Sequence, residues 1–368
     1  MLLSDFTRLP PKMRATAFEG LSALIDSVAD AALPNYQFLR FQWFAAALAA
    51  YGQRARTIVV ENDGDAVIAM PFAAFGPGPA RLATIPGSYW PFRAFPARAD
   101  ASDVAFDVLV ERLERELNGL RIGPSYDGDP ATAALIAAAK RRGWAVLDRH
   151  VARSYVLDIA EAQNKGGWPR KSTLKKNRFH EKNLAARGTL EWKFLTGADL
   201  LVGGFDQLAA IEEKSWIAAR TDGCDAKFTN AGHGAFWRMA AADPAIAEMM
   251  WAALLTVDGD PIAFSFDINI GPFKFAIANS YDPAFARQSP GKLLHYCNLD
   301  RAIQDGITTV DWGAGDGGYK RVIGASKGPL IRDWLLLKPG APAMLGRVLQ
   351  GMWRRSGPQS VEARDDRD

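Results

Sequence analysis

Residues 57–72 and 253–266 share one pattern of apolar and polar positions. In each, an apolar run meets Asp-Gly-Asp (63–65 and 258–260), and a second apolar run containing Ile-Ala follows. Two apolar strands around a tripeptide whose middle residue tolerates positive φ predict a β-hairpin turning at Gly64, and again at Gly259. One such hairpin means little, but its return half a chain later points to duplication. After the first hairpin, Val104, Val108, Leu109, Leu113 and Leu117 recur at helical spacing. A short strand over 120–123 and a helix over 131–142 closing on Gly143 come next, before an apolar run at 144–147. After the second, a strand over 273–280 leads to a helix over 292–304 closing on Gly306 and a strand over 308–312. Both halves therefore read as α/β units around a mixed sheet.

The organisation this predicts is a helical N-terminal segment (1–36), a first unit (37–160), a second unit (161–340), an amphipathic helix (341–355) and a disordered tail (356–368). With 368 residues, 48% of them hydrophobic and 23% charged, the chain suits two soluble globular units. Lysine and arginine total 44 against 41 acidic residues, a net charge of +3, so overall charge selects no partner. Cys224 and Cys297 are far apart and fit no metal-binding spacing, so neither a zinc site nor a disulfide framework is expected. No apolar run reaches the roughly 18 residues of a membrane span. The first residues lack a charged region followed by an apolar one, so no secretory signal is read and a cytoplasmic protein is expected.

The stretch richest in chemistry runs from Tyr281 to Lys320. An apolar strand ends in Gln288-Ser289-Pro290-Gly291-Lys292 and opens directly into a helix. Such a junction presents free backbone N–H groups and a positive helix dipole, which suit a pyrophosphate. The spacing is neither that of a dinucleotide-binding fingerprint nor that of a P-loop. Further on, Asp311-Trp-Gly-Ala-Gly-Asp-Gly-Gly-Tyr-Lys320 forms a glycine-rich loop that carries an acid at Asp316, a phenol at Tyr319 and an amine at Lys320.

Residues 288–293 resemble the Q/R-x-x-G-x-G/A acyl-CoA loop of the GNAT superfamily of N-acyltransferases, with Leu293 in place of the small last residue. Together with residues 311–320 the chain looks like the CelD-like and FemAB-like branch, whose members often carry Y-D-x-x-F, S-P-G and G-D-x-x-Y-K in this order. The resemblance covers roughly residues 37–338. It implies tandem GNAT-like domains, each a mixed, largely antiparallel twisted sheet flanked by helices. It also implies acyl-CoA as co-substrate, with no metal, held by Gln288, Ser289, Pro290, Gly291 and Lys292. In GNAT enzymes a tyrosine often protonates the leaving thiolate, a role open to Tyr319 or Tyr281. Relatives commonly have a basic helix between the halves, and residues 173–186 form one here behind a candidate N-cap, Ser172. It brings Lys175, Arg178 and Lys182 to one side, a solvated face or a site for phosphate. FemAB-like enzymes accept aminoacyl-tRNA, yet a single basic helix on a chain of +3 is thin support for nucleic acid.

N-acyl transfer also needs a base for the attacking amine. Glu212 stands where relatives carry histidine, one helical turn from Trp216, and is either that base or a surface glutamate pairing with Lys214 or a nearby turn. His233, between glycines near a helix start, is a second base candidate, whereas His295 is expected to pack. The aromatic, proline-rich segment 85–96 includes Tyr89, Trp90 and Phe92. It is either a packed lid or an apolar wall that binds substrate along with Trp216. Met344, Leu345, Val348, Leu349, Met352 and Trp353 form a stripe that fits a helix docked on the domain or an interfacial helix in peripheral contact with the inner membrane. The expected activity is N-acylation of a primary amine, either a lipid long-chain base or an envelope amino sugar. The alternatives are aminoacyl-tRNA-dependent transfer in envelope synthesis and a non-catalytic binding module.

Overall fold

A computed structural model describes residues 13–88, 93–215 and 225–356. Tyr89, Trp90, Phe92, Trp216 and the expected tail beyond Ser356 lie outside the described residues. The first half runs β1 (Met13–Glu19), α1 (Leu24–Asp30), α2 (Phe41–Tyr51), β2 (Ala55–Asn62), β3 (Asp65–Phe75), β4 (Leu82–Thr84), α3 (Asp103–Glu116), β5 (Gly119–Tyr126), α4 (Pro130–Arg141) and β6 (Ala145–Asp158). The second half opens with α5 (Ile159–Asn164), α6 (Lys171–Ala185), β7 (Leu190–Thr196), α7 (Phe205–Lys214), α8 (Gly234–Ala240) and α9 (Pro244–Met249). It continues with β8 (Met250–Val257), β9 (Asp260–Ile270), β10 (Phe273–Tyr281), α10 (Pro290–Gln304), β11 (Thr309–Ala314), α11 (Lys320–Ile323), β12 (Ser326–Leu337) and α12 (Ala341–Arg355).

The duplication is visible in backbone detail. Both hairpin turns have two left-handed residues, Asp63 (φ 52°) with Gly64 (97°) and Asp258 (φ 50°) with Gly259 (87°). These are the primed turns whose twist matches that of the flanking strands. Each hairpin also slips register at one place, between Val60 and Glu61 in the first copy and between Leu255 and Thr256 in the second.

The described strands form one twelve-stranded sheet in the order β1-β2-β3-β4-β5-β12-β6-β11-β10-β9-β8-β7. Read from each edge inward, the two copies match strand for strand, with one parallel pair apiece (β4 with β5, β10 with β11). The copies exchange their last strands: β6 lies beside β11 and β12 beside β5, and β6 and β12 pair with each other at the centre. A boundary at residue 160 therefore divides the chain but not the sheet. The segment 1–36 is not purely helical either, because β1 extends the sheet edge along β2.

Aromatic residues from both halves close the core. Trp43 of α2 meets Phe236 of α8 edge to face at 4.9 Å, and Trp237 meets Phe266 of β9 at 5.1 Å. Offset and edge-on rings suit their quadrupoles, so these contacts add to the burial of apolar area.

Candidate active site

The two parallel pairs end differently. In the first half Ile85 N–H donates to Arg121 O and Arg93 N–H to Pro124 O, so the chain after β4 returns to β5. Ile85, Ala94 and Phe95 are buried there. That part of segment 85–96 is packed as core, while the residues that separate the two alternatives, Tyr89, Trp90 and Phe92, lie outside the described residues. In the second half β10 and β11 pair only from Phe273 to Phe275 against Thr309 to Asp311. Beyond this β10 follows β9, with a bulge between Ala276 and Ala278, while β11 follows β6. A bulge bends its strand and increases local twist, which helps the arms diverge. Past Phe275 and Asp311 the facing edges of the two strands no longer pair with each other.

Helix α10 begins at the mouth of the fork, two residues before the expected start at Lys292. Ser289 takes a left-handed conformation (φ 51°) and makes no side-chain cap, and Pro290 follows as the first helical residue. Proline has no N–H to satisfy, so the open donors of the first turn are those of Gly291 and Lys292. A Cβ at Gly291 would lie 3.2 Å from the Tyr281 ring, so the side chain is absent where space is short. Gln288 Oε1 is buried with no hydrogen-bond partner among the described residues. Two open donors and a close-approach glycine fit a diphosphate group, whereas the Gln288 oxygen, an acceptor, does not contribute to holding one.

The basic helix reaches this site by another face than the one carrying Lys175, Arg178 and Lys182, which take the solvated alternative. It starts at Lys171 behind Arg170, so Ser172 is inside the first turn and caps nothing. Asn177, His180 and Leu184 are buried, and α6 packs on α10. This phase turns Lys175, Arg178 and Lys182 away from α10. Arg178 and Lys182 instead line a wide groove with Glu181 and Asp258. Lys176 is the residue that meets the site. The Lys292 ammonium is held below its usual pKa by burial and then by the Lys176 charge. His180 is lowered by burial and by both lysines. Neither lysine forms an ion pair among the described residues. Two cations without an ion pair among the described residues, beside a helix N-terminus, favour an anion by charge as well as by geometry.

Deeper in, Tyr319 pins the two arms. Its hydroxyl meets Asn279 Nδ2 of β10 at 3.1 Å, and its ring stacks on His295 with centroids 5.0 Å apart. Burial raises the phenol pKa, so Tyr319 keeps its proton at neutral pH. Burial also drives His295 down to about 4, so it is a neutral packing partner, as its position in the helix suggests. Lys320 is buried and donates to the carbonyls of Trp312 (2.8 Å) and Ala314 (2.8 Å), closing the end of β11. Asp316 is bound to Arg321 at 2.5 Å. Both are therefore engaged in holding the loop. Tyr281 borders the mouth, its ring against Gly291.

Asp311, at the fork, accepts a hydrogen bond from Gly313 N at 2.7 Å and a short one from Tyr126 of the first half. Burial raises its carboxyl to about 6, against the lowering effect of these bonds and of Lys320.

Glu212 is buried rather than on the surface. Its oxygens accept from the backbone of Lys227 (2.9 Å) and Phe228 (2.8 Å), not from Lys214, so it staples the turn before α8. His233 has its Nδ1 2.9 Å from the Tyr51 hydroxyl. Burial, then Lys227, lowers the His233 pKa, so the imidazole is neutral. Arg93, largely buried, has a lowered pKa from burial and from Arg121, and its charge reaches both Tyr51 and His233. The structure thus makes two clusters, the fork with the α10 mouth, and Tyr51–His233–Arg93 between the halves. Sequence reading missed Lys176, Asn279, Tyr51 and Arg93, since each gains its meaning from a residue distant in the chain.

A helix N-terminus with open donors at a strand fork, on a chain built from two exchanged copies of one α/β unit, agrees with the tandem GNAT-like fold that the sequence resemblance implies. Residues 171–321 match the family model of the acetyltransferase (GNAT) domain. Among solved structures the chain resembles FemX, with 11% identity over 89% of this chain and 97% of that one (TM-score 0.56). It also resembles a conserved protein of unknown function from Bacteroides thetaiotaomicron, with 16% identity over 87% and 99% (TM-score 0.53). The fold is therefore shared with FemX. No curated protein matches the sequence.

Proposed function

We propose that this protein is an acyl-CoA-dependent N-acyltransferase acting on a primary amine. The observation that carries this reading is the fork between β10 and β11 with the α10 N-terminus at its mouth, a feature of the second copy alone. In this reading Gly291 and Lys292 N–H receive the pyrophosphate, with Lys176 and the Lys292 ammonium supplying charge. Backbone N–H groups of the β10 arm polarise the thioester carbonyl. The amine attacks that carbonyl, a C–N bond forms, and the C–S bond breaks. The thiolate takes its proton from Tyr319, and the proton lost by the amine passes to the neutral His233, oriented by Tyr51. No nucleophilic side chain is required. The acceptor in this reading has an apolar tail, as in a lipid long-chain base, rather than being a soluble amino sugar. The exposed apolar stripe of the C-terminal helix favours it.

The likeness to the FemX fold favours a second reading, in which an aminoacyl-tRNA is the donor. Thermal melting with CoA, acetyl-CoA, palmitoyl-CoA and charged tRNA distinguishes the two, since a ligand specific to the folded state raises the melting temperature. The expected result is a shift with the long-chain thioester that Gly291→Glu abolishes, read against the variant's own ligand-free transition because the new side chain crowds Tyr281. A shift with charged tRNA alone, lost on RNase treatment, overturns the acyl-CoA reading.

A further inference from the structure

Helix α12 docks by its small residues and turns its large apolar ones to water. Ala343 and Gly346 face β6 and β12, at Leu147 and Leu337. Trp353 packs under the Arg149 guanidinium, 4.1 Å from its ring centre. The opposite face carries Met344, Leu345, Val348, Leu349 and Met352, from 40% to 80% exposed. Residues 344, 348 and 352 fall at four-residue spacing with 345 and 349 beside them, so they make one continuous stripe. A contiguous apolar patch of this kind on a folded domain marks a surface that something covers.

Charge decides what covers it. The helix has Arg347, Arg354 and Arg355 and no acidic residue. Arg354 approaches Asp148 at 3.6 Å, while Arg347 and Arg355 form no ion pair among the described residues. A second copy laid stripe to stripe would set these arginines against one another. Residues 357–368 offer Val361 as their only large apolar side chain, too little to cover five. An anionic bilayer answers both features, because the acyl boundary takes Met, Leu and Val while lipid phosphates take the arginines.

We propose that α12 seats this protein on a membrane surface rich in anionic phospholipid, with the stripe buried at the headgroup boundary. The footing of the helix on β6 ends at Arg149, and β6 reaches the strand beside the fork at Ser154. Five residues at about 3.3 Å each put the cleft roughly 17 Å from that footing. The bilayer and the cleft are thus neighbours on one rigid strand. This inference rests on the helix alone and stands apart from the identity of the donor.

The test is sedimentation of the full chain with phosphatidylglycerol-containing vesicles and with pure phosphatidylcholine vesicles, beside equilibrium sedimentation without lipid. The expected result is a monomer that binds the anionic vesicles more tightly, with affinity that falls as salt rises. Val348→Asp changes only a water-facing side chain, so it should melt as the wild type does. It should bind at least about tenfold more weakly, the worth of one withdrawn apolar side chain. Absence of binding, equal binding to both vesicles, or binding indifferent to Val348→Asp overturns the proposal. So does a lipid-free dimer that Val348→Asp dissociates, which would make a second copy the occupant.

Discussion

At the scale of single residues, Asp311 is the buried acid on which the fork and the two halves meet, since it holds both Gly313 N and the Tyr126 hydroxyl. Its carboxyl sits at about 6 rather than 3.8 because burial penalises the charged form more than its partners favour it. A raised acid contributes stability that is complete below the unfolded pKa and lost as pH rises through the folded one. Replacing Asp311 by Asn keeps an acceptor for Gly313 and removes the ionisation. Urea unfolding from pH 4.5 to 7.5 should therefore show the wild type losing about 2 kcal/mol relative to Asp311→Asn, mostly before pH 6.5. A constant difference across that range would mean that the carboxyl does not titrate in the fold. Tyr319 shows the opposite use of burial. Its raised pKa preserves the proton that a leaving thiolate would need.

At the scale of elements, the phase of a helix separates a solvated charge from a working one. Spacing alone puts Lys175, Arg178 and Lys182 together, and the structure keeps them together, but on the outer face. The inner face is chosen by Asn177, His180 and Leu184, two of which are polar, so no apolar stripe announced it. Lys176→Glu should weaken CoA binding about tenfold or more, the cost of one charge-assisted contact. Lys175→Glu should leave it within about twofold. Equal losses in calorimetric titration would show that long-range charge, not the α6 phase, governs the site. Elements fixed by short-range chemistry were legible: both Asp-Gly-Asp hairpins, the Pro-Gly helix start within two residues, and the C-terminal helix over the expected 341–355. The start of α6 was not, because Ser172 has the chemistry of a cap without its position. The burial of Glu212 was not legible for a related reason, although its binding to a nearby turn was one of the expected alternatives. Its partners are backbone amides at 227 and 228, which carry no side-chain signature.

At the scale of the whole molecule, duplication was legible and exchange was not. Repeated hairpins reveal two copies, but nothing in the sequence of β6 or β12 says which copy each will complete. That depends on which sheet edge lies open when the strand arrives. The result is that β12, the last strand, fills the gap between β5 and β6 over most of its length. The shared aromatic core from Trp43 to Phe266 then binds the halves a second time. A protein joined in this way cannot melt one copy while keeping the other. Removing the first copy would strip β11 of β6 and leave β12 without either neighbour. Scanning calorimetry should accordingly show a single transition whose van't Hoff and calorimetric enthalpies agree. Residues 161–340 expressed alone should lack cooperative unfolding and expose apolar surface, even though they include the whole matched GNAT segment. Two separated transitions in the intact chain, or a folded isolated second half, would show that the exchanged strands are dispensable. A single transition would mean instead that the fork between β10 and β11 owes its rigidity to the other copy.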